Sequence, residues 1–243
     1  MQRRLVIGLP LIVLGQFGCA AKGHAPLAKS TGTLARPRTL FIIGDSTAAV
    51  FPDTDPRVGW GAVLASEALE LDVHDAARSG RSSKSYLDEG HFREVEAQLA
   101  YGTLLLIQFG HNDEKDDPAR HTDAATTFRD NLRHYIGAAR ARGATPVLLT
   151  PISRRRFDGE RITPSHGDYP DATRAVAAET KTALIDMTLT TAELLERLGP
   201  DASAQLFAPN DNTHLNAQGA HAVARLVLEG LRELGFAIQS LGG

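Results

Sequence analysis

The sequence has a single cysteine, Cys19, so no disulfide can form within the chain. It also lacks a long apolar run. Its main hydrophobic stretch, Leu5 to Leu14, is too short to cross a bilayer comfortably. Strong charge of either sign is missing too: a formal net charge of −3 argues against chain-wide affinity for nucleic acid, though it permits local basic patches. There is no internal repeat or low-complexity block, and no glycine-rich dinucleotide fingerprint follows a strand, so nothing points to a nucleotide cofactor. His111, Asp113, Asp116 and Asp117 have no defined ligand spacing and read as an acidic loop rather than a metal site. Neither a cofactor nor a metal is expected.

What is present is the composition of an ordinary globular protein, with 42% hydrophobic and 23% charged residues in 243. Arg3 and Arg4, the apolar run and the Gly18-Cys19 junction make residues 1–19 resemble a secretory signal. Two outcomes stay open: lipidation of Cys19, as in bacterial lipoproteins, or cleavage near Ala20–Ala25. Export to the periplasm, the envelope or the medium is expected either way, with membrane contact only through the signal or a lipid. Residues 20–38 are small, polar and basic with no sustained period, and read as a tether. Residues 39–238 remain as one domain of about 200 residues, enough to bury a core without a staple.

From Thr39 onward, short apolar runs alternate with longer amphipathic stretches, the pattern of parallel strands joined by crossover helices. Five strands are predicted: Thr39–Ile43, Leu71–Asp75, Thr103–Phe109, Pro146–Thr150 and Ala183–Asp186. Three- and four-residue spacing predicts helices over Trp60–Leu69, Glu94–Tyr101, Thr122–Arg142, Tyr169–Thr180, Thr190–Leu198 and Ala217–Leu234. An open α/β sheet takes its ligand at the carboxyl ends of its strands. The segments there are GDST at 44–47, AARSGRSSKSY at 76–86, GHNDEK at 110–115 and SRRRF at 153–157, while DNTHLN at 211–216 precedes the last helix.

Ser46 follows a buried strand through Gly44 and Asp45, where a sharp turn would expose a hydroxyl. The triplet alone is equally ordinary turn or capping chemistry. Asp211 and His214 are spaced so that a carboxylate and an imidazole share one side of a turn. The acid can hold one ring nitrogen while the other faces a serine, although an N-cap for the following helix needs the same residues. Acyl transfer also requires donors for the developing oxyanion. Gly80 lets an amide approach a ligand closely, and Asn112 offers an NH₂ just after the third strand, although taken singly a simple turn at Gly80 and a loop cap at Asn112 are the commoner reasons for these residues.

Taken together, GDST, SGRSS, FGHND and DNTHLN resemble the Ser, Gly, Asn and Asp-x-x-His blocks of the GDSL or SGNH hydrolases, from about residue 40 to about residue 230. The resemblance implies a three-layer α/β/α sandwich on a flavodoxin-like, parallel five-stranded sheet. It also implies a Ser46 nucleophile, His214 oriented by Asp211, and an oxyanion hole from the Ser46 and Gly80 amides with the Asn112 side chain. Within that family, GRSSKSYLDEG at 80–90, TPISRRRF at 150–157, HGDYPDA at 166–172 and LIDMT at 184–188 are most similar to rhamnogalacturonan acetylesterases. One departure is Asp75, where the family often has Asn; it alters hydrogen bonding beneath Gly80 and leaves the catalytic set intact.

The expected activity is removal of acetyl groups from an acetylated plant cell-wall polysaccharide or oligosaccharide, through an acetyl-serine. Lipase, thioesterase, peptidoglycan or xylan acetylesterase activity would use the same machinery. A silent carbohydrate-binding protein is disfavoured because every catalytic position is filled. Arg81, Lys84, Arg154 and Arg155, with Arg156, follow strand ends. They are either solvated surface charges or cations that orient a galacturonate carboxylate.

Overall fold

The computed structural model describes residues 37–68 and 71–239. The expectations for a signal and for most of the tether fall on residues 1–36, outside the described residues.

The chain runs β1 (Thr39–Gly44), α1 (Trp60–Glu67), β2 (Asp72–Asp75), α2 (Ser83–Asp88), α3 (His91–Glu96), β3 (Thr103–Gln108), α4 (Thr127–Ala141) and β4 (Thr145–Leu149). It continues through β5 (Phe157–Asp158), β6 (Arg161–Ile162), α5 (Tyr169–Thr180), β7 (Ala183–Ile185), α6 (Met187–Ser203) and α7 (Ala217–Glu233). The five predicted strands form one parallel sheet in the order β2-β1-β3-β4-β7, the flavodoxin-like order.

Alternation along each strand divides the apolar residues between two cores. Leu40, Ile42, Leu104, Leu106, Val147 and Leu149 face α1, α6 and α7, where Trp60, Leu195 and Val227 meet them. Phe41, Ile43, Leu105, Ile107 and Leu148 face α2 to α5, against Tyr86, Phe92, Phe128, Tyr135 and Val176. Every residue of the central strand β3 is buried, whereas β2 at the edge alternates between exposed and half-buried. β1 and β3 lie close together at the carboxyl end of the sheet, since a Cβ on Gly44 would sit 2.8 Å from the Gln108 carbonyl oxygen.

The helices depart from the predicted spans where side chains cap or break them. The segment between β2 and β3 carries two short helices rather than one over Glu94–Tyr101. A reciprocal Ser82/Ser85 capping box starts α2, and Gly90, at φ 80°, separates it from α3. α4 begins at Thr127 rather than Thr122, because Asp123 Oδ1 accepts from the amides of Ala125 and Thr126 and holds a turn there. Asp186 caps α6 at Met187, three residues before the predicted start. That element reaches Ser203 across a non-helical Gly199 at φ 76°. The β5–β6 hairpin, two residues per strand, was not predicted; Gly159 at φ 59° forms its turn.

Candidate active site

In a sheet of this order, the strands on either side of the point where the winding reverses, β1 and β3, leave a crevice beyond their carboxyl ends. Ser46 stands after β1, Asn112 after β3, and Gly80 in the loop after the neighbouring β2. A tight turn places Ser46: the amides of Ala48 and Ala49 donate to the Asp45 carbonyl. Beneath it, Asp45 Oδ1 accepts from the Thr47 amide at 2.9 Å and the Thr47 hydroxyl at 2.8 Å. Gln108, at the end of β3, receives the Trp60 indole N–H at 2.9 Å and donates to the Thr150 carbonyl at 3.2 Å. The floor of the crevice is therefore cross-linked to α1, β3 and β4.

The sequence-predicted Ser, His and Asp come together. Ser46 Oγ is 3.0 Å from His214 Nε2, and His214 Nδ1 is 2.7 Å from Asp211 Oδ2. Asp211 also accepts from the amides of Thr213 and His214, so the carboxylate organises its own loop. Burial favours the protonated acid at Asp211, but the donors from His214 and Thr213 outweigh it and hold the carboxyl below its ordinary range. An ionised Asp211 selects the tautomer with hydrogen on Nδ1 and leaves Nε2 free to take the Ser46 proton. Phe51 stands edge-on to the His214 ring at 6.5 Å.

The remaining predicted members follow the two strands that flank β1. Gly80 has φ 79°, a left-handed conformation that strains any other residue although no atom would crowd its Cβ. Asn112 is 3% exposed and uses one side-chain N–H on the Arg81 carbonyl at 3.0 Å, which fixes it beside Gly80 and leaves its second N–H available. Among the described residues, the amides of Ser46 and Gly80 have no acceptor. Three unclaimed N–H groups thus sit on three adjacent strand ends, an arrangement able to receive an oxyanion.

The sequence places Asp113 in an acidic loop; in the structure its carboxylate accepts from Ser83 N and Oγ, Thr122 Oγ1 and Gly110 N, binding the Gly80 loop to the Asn112 loop. The basic residues have partners within the protein. Arg154 is not an open guanidinium: its Nη2 donates to Glu114 Oε1 at 2.5 Å, its Nη1 to Thr213 Oγ1 at 2.7 Å, and the side chain is 12% exposed. Arg155 Nη1 donates to the Pro200 carbonyl and Arg81 pairs with Glu89. Lys84 donates to the Pro118 carbonyl and lies 3.7 Å from Asp88. Sequence reasoning also missed His166, whose Nδ1 meets Glu114 Oε2 at 3.0 Å and whose Nε2 meets the Ile152 carbonyl at 2.9 Å. No local pattern marks that contact, which joins residues 52 apart.

Asp75 ends β2 with one carboxylate oxygen satisfied and one not. Oδ1 accepts from the Ala77 amide, while the buried Oδ2 has no partner among the described residues. Burial pushes its carboxyl from near 3.8 up to about 7, with the Ala77 amide and Arg78 pulling only weakly the other way. The folded state therefore holds this proton more tightly than the unfolded chain. The resulting stability is fully present below about pH 4 and is lost as pH rises through about 7. Asp75→Asn is expected to be more stable than the parent by on the order of 4 kcal/mol at pH 8, with the gap closing toward pH 4. Urea unfolding at several pH values measures this, and parallel stability curves for the two proteins would refute the burial argument.

Comparison with known proteins identifies the family and the fold. The model of the GDSL-like lipase/acylhydrolase family matches residues 42–222. A rhamnogalacturonan acetylesterase of Bacillus subtilis is 39% identical in an alignment of 224 residues that covers 85% of this chain and 94% of that protein. A solved Bacillus subtilis structure superposes with a TM-score of 0.76 at 28% identity, covering 83% of this chain. This chain spans only 58% of that longer protein. An acetylxylan esterase from Geobacillus stearothermophilus shares the fold, with a TM-score of 0.62 at 20% identity over 84% of this chain and 97% of that one.

Proposed function

The chain belongs to the GDSL-like lipase/acylhydrolase family, and from that membership and the site geometry we propose that it removes acetyl groups from a plant cell-wall polysaccharide, with rhamnogalacturonan as the leading substrate. It is a carboxylic ester hydrolase. The observation that carries the mechanistic reading is the continuous relay from Ser46 Oγ through His214 to Asp211, at 3.0 and 2.7 Å. Ser46 Oγ attacks the acetyl carbonyl as its proton passes to His214 Nε2, and Asp211 stabilises the imidazolium. The carbonyl oxygen becomes an oxyanion between the Ser46 and Gly80 amides and the Asn112 N–H. Collapse expels the sugar oxygen, which takes the proton from His214 and leaves acetyl-Ser46. Water then repeats the sequence with His214 as base, releasing acetate and restoring the serine. The rhamnogalacturonan assignment is supported by the 39% identical relative and its 34% identical companion, both named for that activity, although the second is named only as probable.

Acetate release from acetylated rhamnogalacturonan, acetylated xylan and acetylated peptidoglycan tests the substrate. Release from rhamnogalacturonan is expected to exceed the others by about tenfold or more in kcat/KM, roughly the discrimination that one or two lost polar contacts would cause. Equal rates on all three, or a preference for xylan, would overturn the pectic assignment and leave the serine esterase chemistry intact.

A further inference from the structure

We propose that Arg154 is a positioning residue for catalysis, a brace that holds the loop carrying Asn112 in register with the loop carrying His214. The inference rests on the serine esterase reading above. Arg154 lies on neither loop. It follows β4, and its two terminal nitrogens reach Glu114, two residues past Asn112, and Thr213, immediately before His214. A guanidinium suits this position because its donors are fixed in one plane, so that fastening one nitrogen orients the other.

Both ends of the brace are themselves held. Glu114 Oε2 faces His166 Nδ1, and the opposite ring nitrogen faces the Ile152 carbonyl, so the acid is clamped against the strand-end segment from which Arg154 projects. Burial alone would raise the Glu114 carboxyl, but His166 and Arg154 outweigh it and keep the acid below its ordinary range. The His166 side chain is almost wholly buried and packs edge-on against His111, with ring centroids 4.3 Å apart. At the other end, Thr213 Oγ1 lies 2.9 Å from Asn212 Oδ1 and can donate there, which leaves its lone pairs for Arg154. The 155–212 backbone bond, from the Arg155 amide to the Asn212 carbonyl at 2.7 Å, runs beside the side-chain bridge.

The brace matters because the Ser46–His214 contact joins residues 168 apart through a single hydrogen bond. The oxyanion donors and the general base must be in register at the same moment, and a displacement of about 1 Å at such a centre costs on the order of 10²-fold in rate. A brace and a substrate clamp make opposite predictions. If Arg154 gripped a substrate carboxylate, its loss would raise KM on charged oligosaccharides and leave a small neutral ester unaffected. As a brace, its loss lowers kcat on every ester alike.

The test compares the parent, Arg154→Ala, Thr213→Val and the double variant on p-nitrophenyl acetate and on acetylated galacturonate oligosaccharides, with thermal unfolding recorded for each. Arg154→Ala is expected to lower kcat about ten- to hundredfold on both substrates, with KM within about twofold of the parent. Thr213→Val removes the acceptor while keeping the Arg154–Glu114 pair, and is expected to lower kcat about threefold or more. The double variant should lose little more than Arg154→Ala alone, because the Arg154–Thr213 bond is common to both changes and only the Thr213–Asn212 bond is lost in addition. Losses that multiply, an unchanged kcat on p-nitrophenyl acetate, or an effect confined to KM would each overturn the proposal. If Arg154→Ala does not fold, Thr213→Val decides by the same criterion. Ser46→Ala is run in parallel: turnover that survives it would be a failure of the esterase assignment itself, distinguishable from failure of the brace.

Discussion

Ser46→Ala and His214→Ala each lower turnover of an acetyl ester by about 10⁴-fold or more, and the double variant is little worse than either. The expectation follows from the relay, in which the serine is a weak nucleophile until His214 Nε2, 3.0 Å away, accepts its proton. Removing either partner removes the same step, so the losses do not multiply. Both variants should remain folded. Ser46 is 8% exposed, and its hydroxyl makes that one hydrogen bond. Without the imidazole, Asp211 still accepts from the amides of Thr213 and His214, and the Ala208 amide still donates to the carbonyl of residue 214. Asp211→Asn should hurt less than either, since it disturbs the tautomer and orientation of the base without deleting it. Turnover of p-nitrophenyl acetate, with acetate release as the second readout and circular dichroism as the folding control, measures all four variants. If Ser46→Ala kept more than about a tenth of parental turnover, the nucleophile would lie elsewhere.

The strands were legible in the sequence because a strand buried on both faces must be a short, nearly continuous apolar run, and β3 and β4 have no competing reading. Their carboxyl ends were legible for the same reason, and the chemistry-bearing residues follow directly. The Asp211–His214 pairing lies within one turn, so its geometry could be read from spacing alone. Other features depend on distance along the chain. Six-residue helices such as α2 and α3 are set by a capping box and a left-handed glycine, and are too short to show a period. Arg154 carries a charge that sequence reading can assign to solvent or to a substrate carboxylate, but its neighbours Glu114 and Thr213 lie 40 and 59 residues away. Only the fold brings them within reach. The Asp113 carboxylate is similar: its donors on Ser83 lie 30 residues upstream, and an acidic run gave no sign that one member was buried.

Asn112→Ala is expected to lower kcat by about 10²- to 10³-fold while changing KM by less than about twofold. Asn112 has two side-chain N–H groups, and the structure shows one of them donating to the Arg81 carbonyl. The other points to no protein acceptor among the described residues, as do the amides of Ser46 and Gly80. A ground-state ester carbonyl is a modest acceptor, whereas the oxyanion formed when Ser46 attacks carries a full charge in a crevice whose floor is buried. Hydrogen bonds to that charge are stronger than those to the neutral carbonyl, so the lost donor is felt in the transition state more than in substrate binding. Truncation also leaves the Arg81 carbonyl without its donor, at about 1 kcal/mol or more of stability. Rates are therefore compared well below the unfolding transition. Asn112→Asp supplies a sharper form of the test, because it keeps the shape while presenting oxygen lone pairs to a developing negative charge. It should be slower than Asn112→Ala. Were it as fast as the parent, or were the alanine variant to lose only affinity, Asn112 would be a substrate contact, and the oxyanion would have to be held by the two amides alone.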